Sequence, residues 1–419
     1  MFENYPHHSN LYFSIVKERT KLEKRGEGAF LLKRGKCVRN NMKGKIAIVG
    51  GGISGLATAL ALKKIGLTVS IYEKKAENSR TGSGIVLGSN ALKALDYLGV
   101  LPQIRERGIT SNQYFIFDNH GKPITSLHSE QTDYPLYTFI HRKDLIDILL
   151  NALSDEHIYY KKKLVFFTTD HKKSQLYFED GTIINTDYLL ACDGINSAIR
   201  NQLFPDKHLR YAGYTCWRGV LENVSDQSIP FYCETWGPKG RFGIIPLSNN
   251  RLYWYALKNG EPNDTRHHGW KTEELLSNFS EYHHPIPTII ENTLDENVTR
   301  RDIYDLETLF HYVYDRILLL GDAAHATTPN LGQGACLAIE DAVVLAKCIE
   351  KERQLESAMT SFEKLRIERT KKVVQESWMF GKIAQIDNPF ICSVRNIVMK
   401  WTPASFHQSR LQFLQNLTM

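Results

Sequence analysis

Few architectures accommodate "KIAIVGGGISGLATALALKKIGLTVSIYEKK", residues 45–75. Residues 45–49 read as a short apolar strand, 50–55 as a glycine turn, 56–65 as a helix and 68–72 as a second strand ending at Glu73. Gly66 suits the helix stop. A βαβ unit makes its strands parallel, and parallel strands are buried on both faces. The turn carries G-x-G-x-x-G at Gly50, Gly52 and Gly55, with Ser54 inside it. The first glycine permits the tight turn, the second lets backbone approach a pyrophosphate, and the third lets helix and strand pack closely. The helix N-terminus favours the negative charge. Glu73, with Lys74 beside it, falls where a carboxylate accepts ribose hydroxyls, which favours an unphosphorylated ribose as in FAD or NAD. A tight turn without a ligand explains the glycines but not the acid in its place.

Two later stretches narrow the choice. "DYLLACDGINSAIR" reads as a buried strand, a loop with Asp193 and Gly194, and a helix carrying Arg200. Alone, that aspartate is as readily a helix cap. "LLLGDAAHATTPNLGQGACLAIEDAVVL", residues 318–345, puts Asp322 at the end of a buried strand and a helix start at Gly332, Gln333, Gly334 and Ala335. A carboxylate accepts hydrogen bonds from a polyol, and a helix start stabilises an anion. A flavin presents both, in its ribityl chain and in the ring edge that becomes negative on reduction. A capped strand–loop–helix would explain the aspartate, but not three glycines and Pro329.

The remainder is uneven. "NALKALDYLGV" and "HRKDLIDILLNAL" read as amphipathic helices. Across 211–257, short aromatic and β-branched runs separated by turn residues predict an antiparallel sheet inserted between α/β pieces. Residues 336–382 are mostly helical, and the tail is helical with an interruption near Pro403.

Composition is ordinary for a globular chain of 419 residues, with 42% hydrophobic and 23% charged. The net charge of +6 sits at the front: residues 1–43 hold ten Lys/Arg and four Asp/Glu, and the rest holds 42 of each. The body is therefore neutral, without the basic stripe of a nucleic-acid binder. The front extension lacks the apolar core of a secretory signal, and a protein starting at Met42 would be complete. Residues 1–41 are then a flexible tail or a start-site artefact. Cys37, Cys192, Cys216, Cys233, Cys336, Cys348 and Cys392 are odd in number and form no CxxC pair, which points to a reducing compartment, the cytoplasm, and to no disulfide frame. The pairs His7-His8, His267-His268 and His283-His284 lack a ligand set, so no metal is predicted. No apolar run reaches the roughly eighteen residues of a membrane span. "PFICSVRNIVMKWTP" is too short to span and modestly amphipathic.

GGGISG, CDGINSAIR and GDAAHATTPNLGQG, 143 and 129 residues apart from Gly50 to Asp193 to Asp322, together resemble the class A (single-component) FAD-dependent monooxygenases. This is the p-hydroxybenzoate and salicylate hydroxylase group, and the likeness runs from Lys45 to about Leu345. It implies an α/β fold: a Rossmann-like FAD-binding domain of the glutathione reductase type (44–115, 140–210 and 300–350). Into it a mainly antiparallel substrate sheet (116–139 and 211–299) is inserted, and a helical region (351–419) follows. By the resemblance Asp322 binds the ribityl chain, the amides of Gly332, Gln333, Gly334 and Ala335 face the isoalloxazine, and Asp193 and Gly194 serve FAD and the passing nicotinamide. Arg142 matches the arginine near the phosphates, Val86 and Leu164 match further backbone contacts, and Pro329 matches the proline beside the reactive flavin carbon. A single G-x-G-x-x-G leaves NADPH or NADH to dock transiently.

The implied reaction is hydride transfer to FAD, then O2, then a C4a-hydroperoxide that delivers one oxygen to a small aromatic or conjugated substrate. It needs no catalytic triad. "YAGYTCWRGV" and "RFGIIPLSNNRLYWYA" are most similar to the salicylate hydroxylase, zeaxanthin epoxidase and urate hydroxylase branch. Arg241 and Tyr253 match positions that hold and activate substrate in urate hydroxylase. An arginine pairs with an anionic ring, and a tyrosine hydrogen-bonds or deprotonates it. As plain structure, Arg241 is a surface sheet residue and Tyr253 a core aromatic. Trp217, Trp236 and Trp254 read as sheet packing, and His325 as a positioning or capping group. Epoxidation, tetracycline-type inactivation, a non-oxygenating flavin reductase and a membrane-associated quinone-pathway oxygenase stay open, as do monomer and homodimer.

Overall fold

The computed structural model describes residues 44–77, 83–128, 133–153, 157–224, 232–352, 354–403 and 412–415. The basic extension, Met42 and Cys37 lie outside them. Ile46–Val49 is buried throughout and pairs in parallel with Tyr188–Ala191 on one side and Val69–Tyr72 on the other. Ile317–Leu319 adds in parallel beyond Tyr188–Ala191. The six-stranded sheet is completed by Val313–Tyr314 and His157–Tyr159 at its edges. Its covering helix Ile53–Lys64 starts three residues earlier than the pattern predicts, because Gly55 lies inside the first turn. Nine of its residues are buried, so it has almost no polar face: it lies between the sheet and other helices.

A seven-stranded sheet forms the other half, in the order Thr299–Leu306, Leu209–Leu221, Arg251–Asn259, Gly240–Leu247, Cys233–Gly237, Gln113–Asp118, Pro123–His128. All its pairings are antiparallel except that of Cys233–Gly237 with Gln113–Asp118. Thr299–Leu306, placed by the sequence in the FAD-binding part, is thus an edge strand here, and Gln113–Asp118 crosses the other expected boundary. Ladder pairing is non-local and decided between strands far apart in sequence. Alternation along the strands separates two faces. Trp217, Phe242 and Trp254 pack outward against Thr272–Phe279 and Ile286–Glu291. A Cβ at Gly219 would lie 2.5 Å from the Trp254 ring, so the glycine makes room for it. A three-stranded antiparallel sheet over 164–186 was not anticipated.

Gly334–Lys351 packs against the thirty-residue helix Leu355–Ala384 through a buried ionic network. Arg366 donates from Nε to Asp341 Oδ1 (2.7 Å) and from its NH1 group to Glu340 Oε2 (2.7 Å), and Arg369 donates from Nε to Glu340 Oε2 (2.8 Å). His325 Nε2 donates to Asp341 Oδ2 at 2.7 Å. Desolvation opposes both carboxylates, yet the arginines and His325 outweigh it and hold their pKa values low. His325 is thus engaged in positioning. Among the described residues no helix is long and apolar enough to cross a membrane, and no cluster of His, Cys, Asp and Glu is placed to hold a metal. Arg366→Met removes the cation shared by two buried carboxylates and should cost about 3–5 kcal/mol in urea unfolding, with part recovered by adding Asp341→Asn. A loss under about 1 kcal/mol would show that Arg369 and His325 balance the charge alone.

Candidate active site

Three adjacent parallel strands end at one edge of the six-stranded sheet. Gly50 follows Val49, Asp193 lies two residues beyond Ala191, and Asp322 three beyond Leu319. Ligands of open α/β sheets bind at this carboxyl edge. Gly50 has φ 108°, and a Cβ there would lie 2.2 Å from the Cys192 carbonyl oxygen, so glycine alone lets the two strand ends approach. A Cβ on Gly55 would lie 1.9 Å from the Gly50 carbonyl oxygen, which makes it a packing residue outside the cavity. At Gly52 a Cβ meets nothing within 4 Å, leaving the helix start open to a phosphate.

A cavity of about 350 Å³ is lined here by Gly50, Gly52, Glu73, Lys74, Arg142, Leu164, Asp193 and Gly194. Glu73 accepts the Gly51 N–H at 2.6 Å and the Lys75 N–H at 2.8 Å, which sets the turn. Through Gly52, Arg142, Cys192 and Gly194 the cavity continues into a second of about 350 Å³. Ser54, Val86, Asp322, Pro329, Gly332, Gly334 and Ala335 form its floor. Gln333 is absent from the lining: it is buried, accepts from Asn90 Nδ2 at 2.9 Å, and its carbonyl receives the Leu337 N–H.

The residues fit a dinucleotide carrying a polyol. Ser54 Oγ and Asp193 Oδ1 are buried and make no hydrogen bond within the protein, while Asp193 Oδ2 caps the next helix through the Ala198 N–H (2.8 Å). The plain capping role is therefore real, and it leaves one oxygen over. Asp322 is exposed toward the cavity, with protein packed around it on its other sides. Burial raises its pKa, opposed by His325, Arg142 and Arg200, and burial also raises that of Asp193. Gly50, Gly52, Glu73 and Arg142 could hold an adenine nucleotide and its pyrophosphate, Asp322 a ribityl chain, and the helix start at Gly334 a flavin ring edge.

The seven-stranded sheet roofs the second cavity with Cys216, Arg218, Tyr232, Arg241, Tyr253 and Tyr255. Arg241 is 2% exposed and fully engaged. Its Nε (2.8 Å) and NH2 group donate to Glu234 Oε1, and its NH1 group to Asn330 Oδ1 (2.9 Å). Tyr114 Oη donates to the other Glu234 oxygen at 2.7 Å. Desolvation disfavours the Arg241 charge, but Glu234 together with Tyr255, Tyr214 and Tyr114 outweighs it and the pKa rises. Burial pushes the Tyr253 pKa up more than Arg218 pulls it down, so at neutral pH the phenol is protonated and a hydrogen-bond donor. Sequence reasoning missed Arg218, Glu234 and Asn330. Arg218 has no carboxylate partner among the described residues, and Cys216 and Tyr253 beside it raise its pKa. The period of two in "YTCWRG" puts Tyr214, Cys216 and Arg218 on one face and was the available signal.

A dinucleotide cleft at a parallel-sheet edge, opening into a sheet-roofed cavity, defines a flavoprotein architecture. The chain belongs to the FAD binding domain family, whose model matches residues 43–377, and is a member of the FAD-dependent monooxygenases. It is 37% identical over 359 residues to the aurachin C monooxygenase/isomerase of Stigmatella aurantiaca, covering 85% of this chain and 93% of that protein. The 2-heptyl-3-hydroxy-4(1H)-quinolone synthase of Pseudomonas aeruginosa is 30% identical over 367 residues, covering 85% and 94%. The crystal structure of Klebsiella pneumoniae HpxO with FAD and uric acid superposes with a TM-score of 0.78 at 26% identity, covering 88% of this chain and 96% of that one.

Asp322→Asn should weaken FAD binding roughly ten- to a hundredfold, the worth of hydrogen bonds to a charged group, read as flavin absorbance per chain after gel filtration. Because burial raises the Asp322 pKa, acidification should release flavin from the native chain at a higher pH than an ordinary aspartate allows. The asparagine variant should lack that step. Gly52→Val should fold and lose flavin, whereas Gly55→Val should fail to fold; the reverse pattern would exchange their roles.

Proposed function

We propose that this protein uses NAD(P)H and O2 to place one oxygen atom on a small, oxygen-bearing aromatic or conjugated ring, working in the cytoplasm. The observation that carries the reading is the continuity of the two cavities: the space beside Asp322, Pro329 and Gly334 opens directly beneath the aromatic and arginine roof. A flavin held there and reduced by NAD(P)H supplies an electrophilic oxygen derived from O2. The protein's share is orientation, charge and dryness. Tyr253, kept protonated by burial, donates a hydrogen bond to a substrate oxygen. Arg218, a roof cation with no carboxylate partner among the described residues, draws in an oxygen that is anionic or becomes so as the ring is attacked. Arg241, neutralised by Glu234, braces the roof against Asn330 beside Pro329 and shapes the cavity. The six described cysteines are free and buried, in keeping with a reducing compartment.

The relative that makes a 3-hydroxy-4-quinolone supports a fused, oxo-bearing heteroaromatic as the substrate class. The test is substrate-stimulated NAD(P)H and O2 consumption across quinolones, urate, hydroxybenzoates and tetracyclines, with product mass checked for one added oxygen. NAD(P)H oxidation without oxygenated product from any of them would reduce the protein to a flavin reductase. Arg218→Met should raise KM about tenfold or more while flavin content stays unchanged, by loss of a charge-assisted contact. Arg241→Ala should instead lower stability, by about 3–5 kcal/mol, because it leaves Glu234 buried and unpaired.

A further inference from the structure

Pro389–Trp401 turns its apolar side outward. Phe390 is 76% exposed, Ile397 59%, Val398 60% and Trp401 82%, with Ile391 and Val394 also exposed. Positions 390, 391, 394, 397, 398 and 401 recur at helical spacing and form one stripe. Exposed Met379 and Ile383 lie on the preceding helix. The inward side is narrower and mixed: Cys392 is buried, Met399 packs against the cluster around Trp236, and Arg395 lies between them. Arg395 is buried, donates from its NH1 group to the Ala384 carbonyl at 3.1 Å, and stacks 5.0 Å from the centre of the Trp236 ring. A helix anchored by its arginine with its hydrophobic stripe facing solvent is the reverse of an ordinary surface helix.

Charge in this part of the chain points the same way. Residues 371–419 hold six Lys/Arg, five of them besides the buried Arg395, against two Asp/Glu, and no acid follows Asp387. We propose that this face docks in the plane of an anionic lipid bilayer, the stripe entering the boundary between headgroups and acyl chains. Its thirteen residues extend only about 20 Å, too little to span, and an exposed Trp at one end suits the membrane interface. Pairing with a second copy would bring two such cationic segments together, whereas an anionic headgroup layer matches them. Trp236, which carries Arg395 on its ring, pairs in register with Arg241 of the cavity roof, so the docked helix packs on the same face of the sheet as Arg241. The inference is independent of the oxygenase reading.

The experiment is sedimentation of the FAD-loaded full chain with vesicles of phosphatidylglycerol and phosphatidylcholine, against phosphatidylcholine alone. Binding at least tenfold tighter to the anionic vesicles is expected. It should be lost in Ile397→Glu/Val398→Glu, which alters only exposed positions and should leave flavin content and Tm unchanged. Equal affinity for neutral vesicles, no vesicle binding, or binding that survives in the double variant (which would assign it to the cationic 1–43 extension) each overturns the proposal. So does a concentration-dependent dimer that the double variant dissolves without any lipid binding. Substrate-stimulated O2 uptake measured without vesicles reports separately on the catalytic reading.

Discussion

Everything in this molecule depends on three parallel strands ending at the same edge. The Gly50 N–H donates to the Tyr72 carbonyl (2.8 Å), the Cys192 N–H to Val49 (2.8 Å) and the Leu320 N–H to Ala191 (3.0 Å), so the ladder continues just past the last residue of each strand. Residues remote in sequence thereby arrive together: the glycine turn, Asp193 and Asp322. Parallel pairing demands long crossovers, and these crossovers are where the rest of the chain is spent. The whole roof sheet is folded between the second and third of these strand ends apart from its two strands over 113–128, and it returns to the same edge to close the cavity.

The floor of that cavity is made rigid from behind. Asp341 accepts the Gly321 N–H at 2.9 Å as well as His325 and Arg366, so one buried carboxylate ties the loop that carries Asp322 to the helix whose start lines the cavity. Glu340 does the same for Asn90 on the helix Ser89–Leu98, at 2.6 Å. A hydrophobic core of equal volume would serve stability as well. What the ionic arrangement adds is direction: each bond requires one geometry, and the loop and helix start are held to it.

In the roof, two arginines that look alike in sequence have opposite electrostatic standing. Arg241 spends its charge on Glu234, and the Tyr114 hydroxyl completes that carboxylate. Arg218, two strands over and beside Tyr253, meets no carboxylate among the described residues. A cavity wall with one neutralised and one open cation has a polarity that neither residue type announces.

The sequence by itself determined the βαβ unit, the dinucleotide turn, the carboxylate at Asp322 and the helix start behind it, because these are local. A glycine forced by φ 108° or a close backbone approach leaves its mark within a few residues. Periodicity likewise revealed the antiparallel insertion between 211 and 257 and the long C-terminal helices. Only the tertiary structure decided that Thr299–Leu306 joins the roof and that Gln333 turns away from the cavity. It alone paired Arg241 with Glu234 and set the apolar stripe of Pro389–Trp401 facing out. Each of these turns on which charge or face meets which partner across the fold. Pairing energies of that kind belong to the assembled geometry and to no stretch of chain.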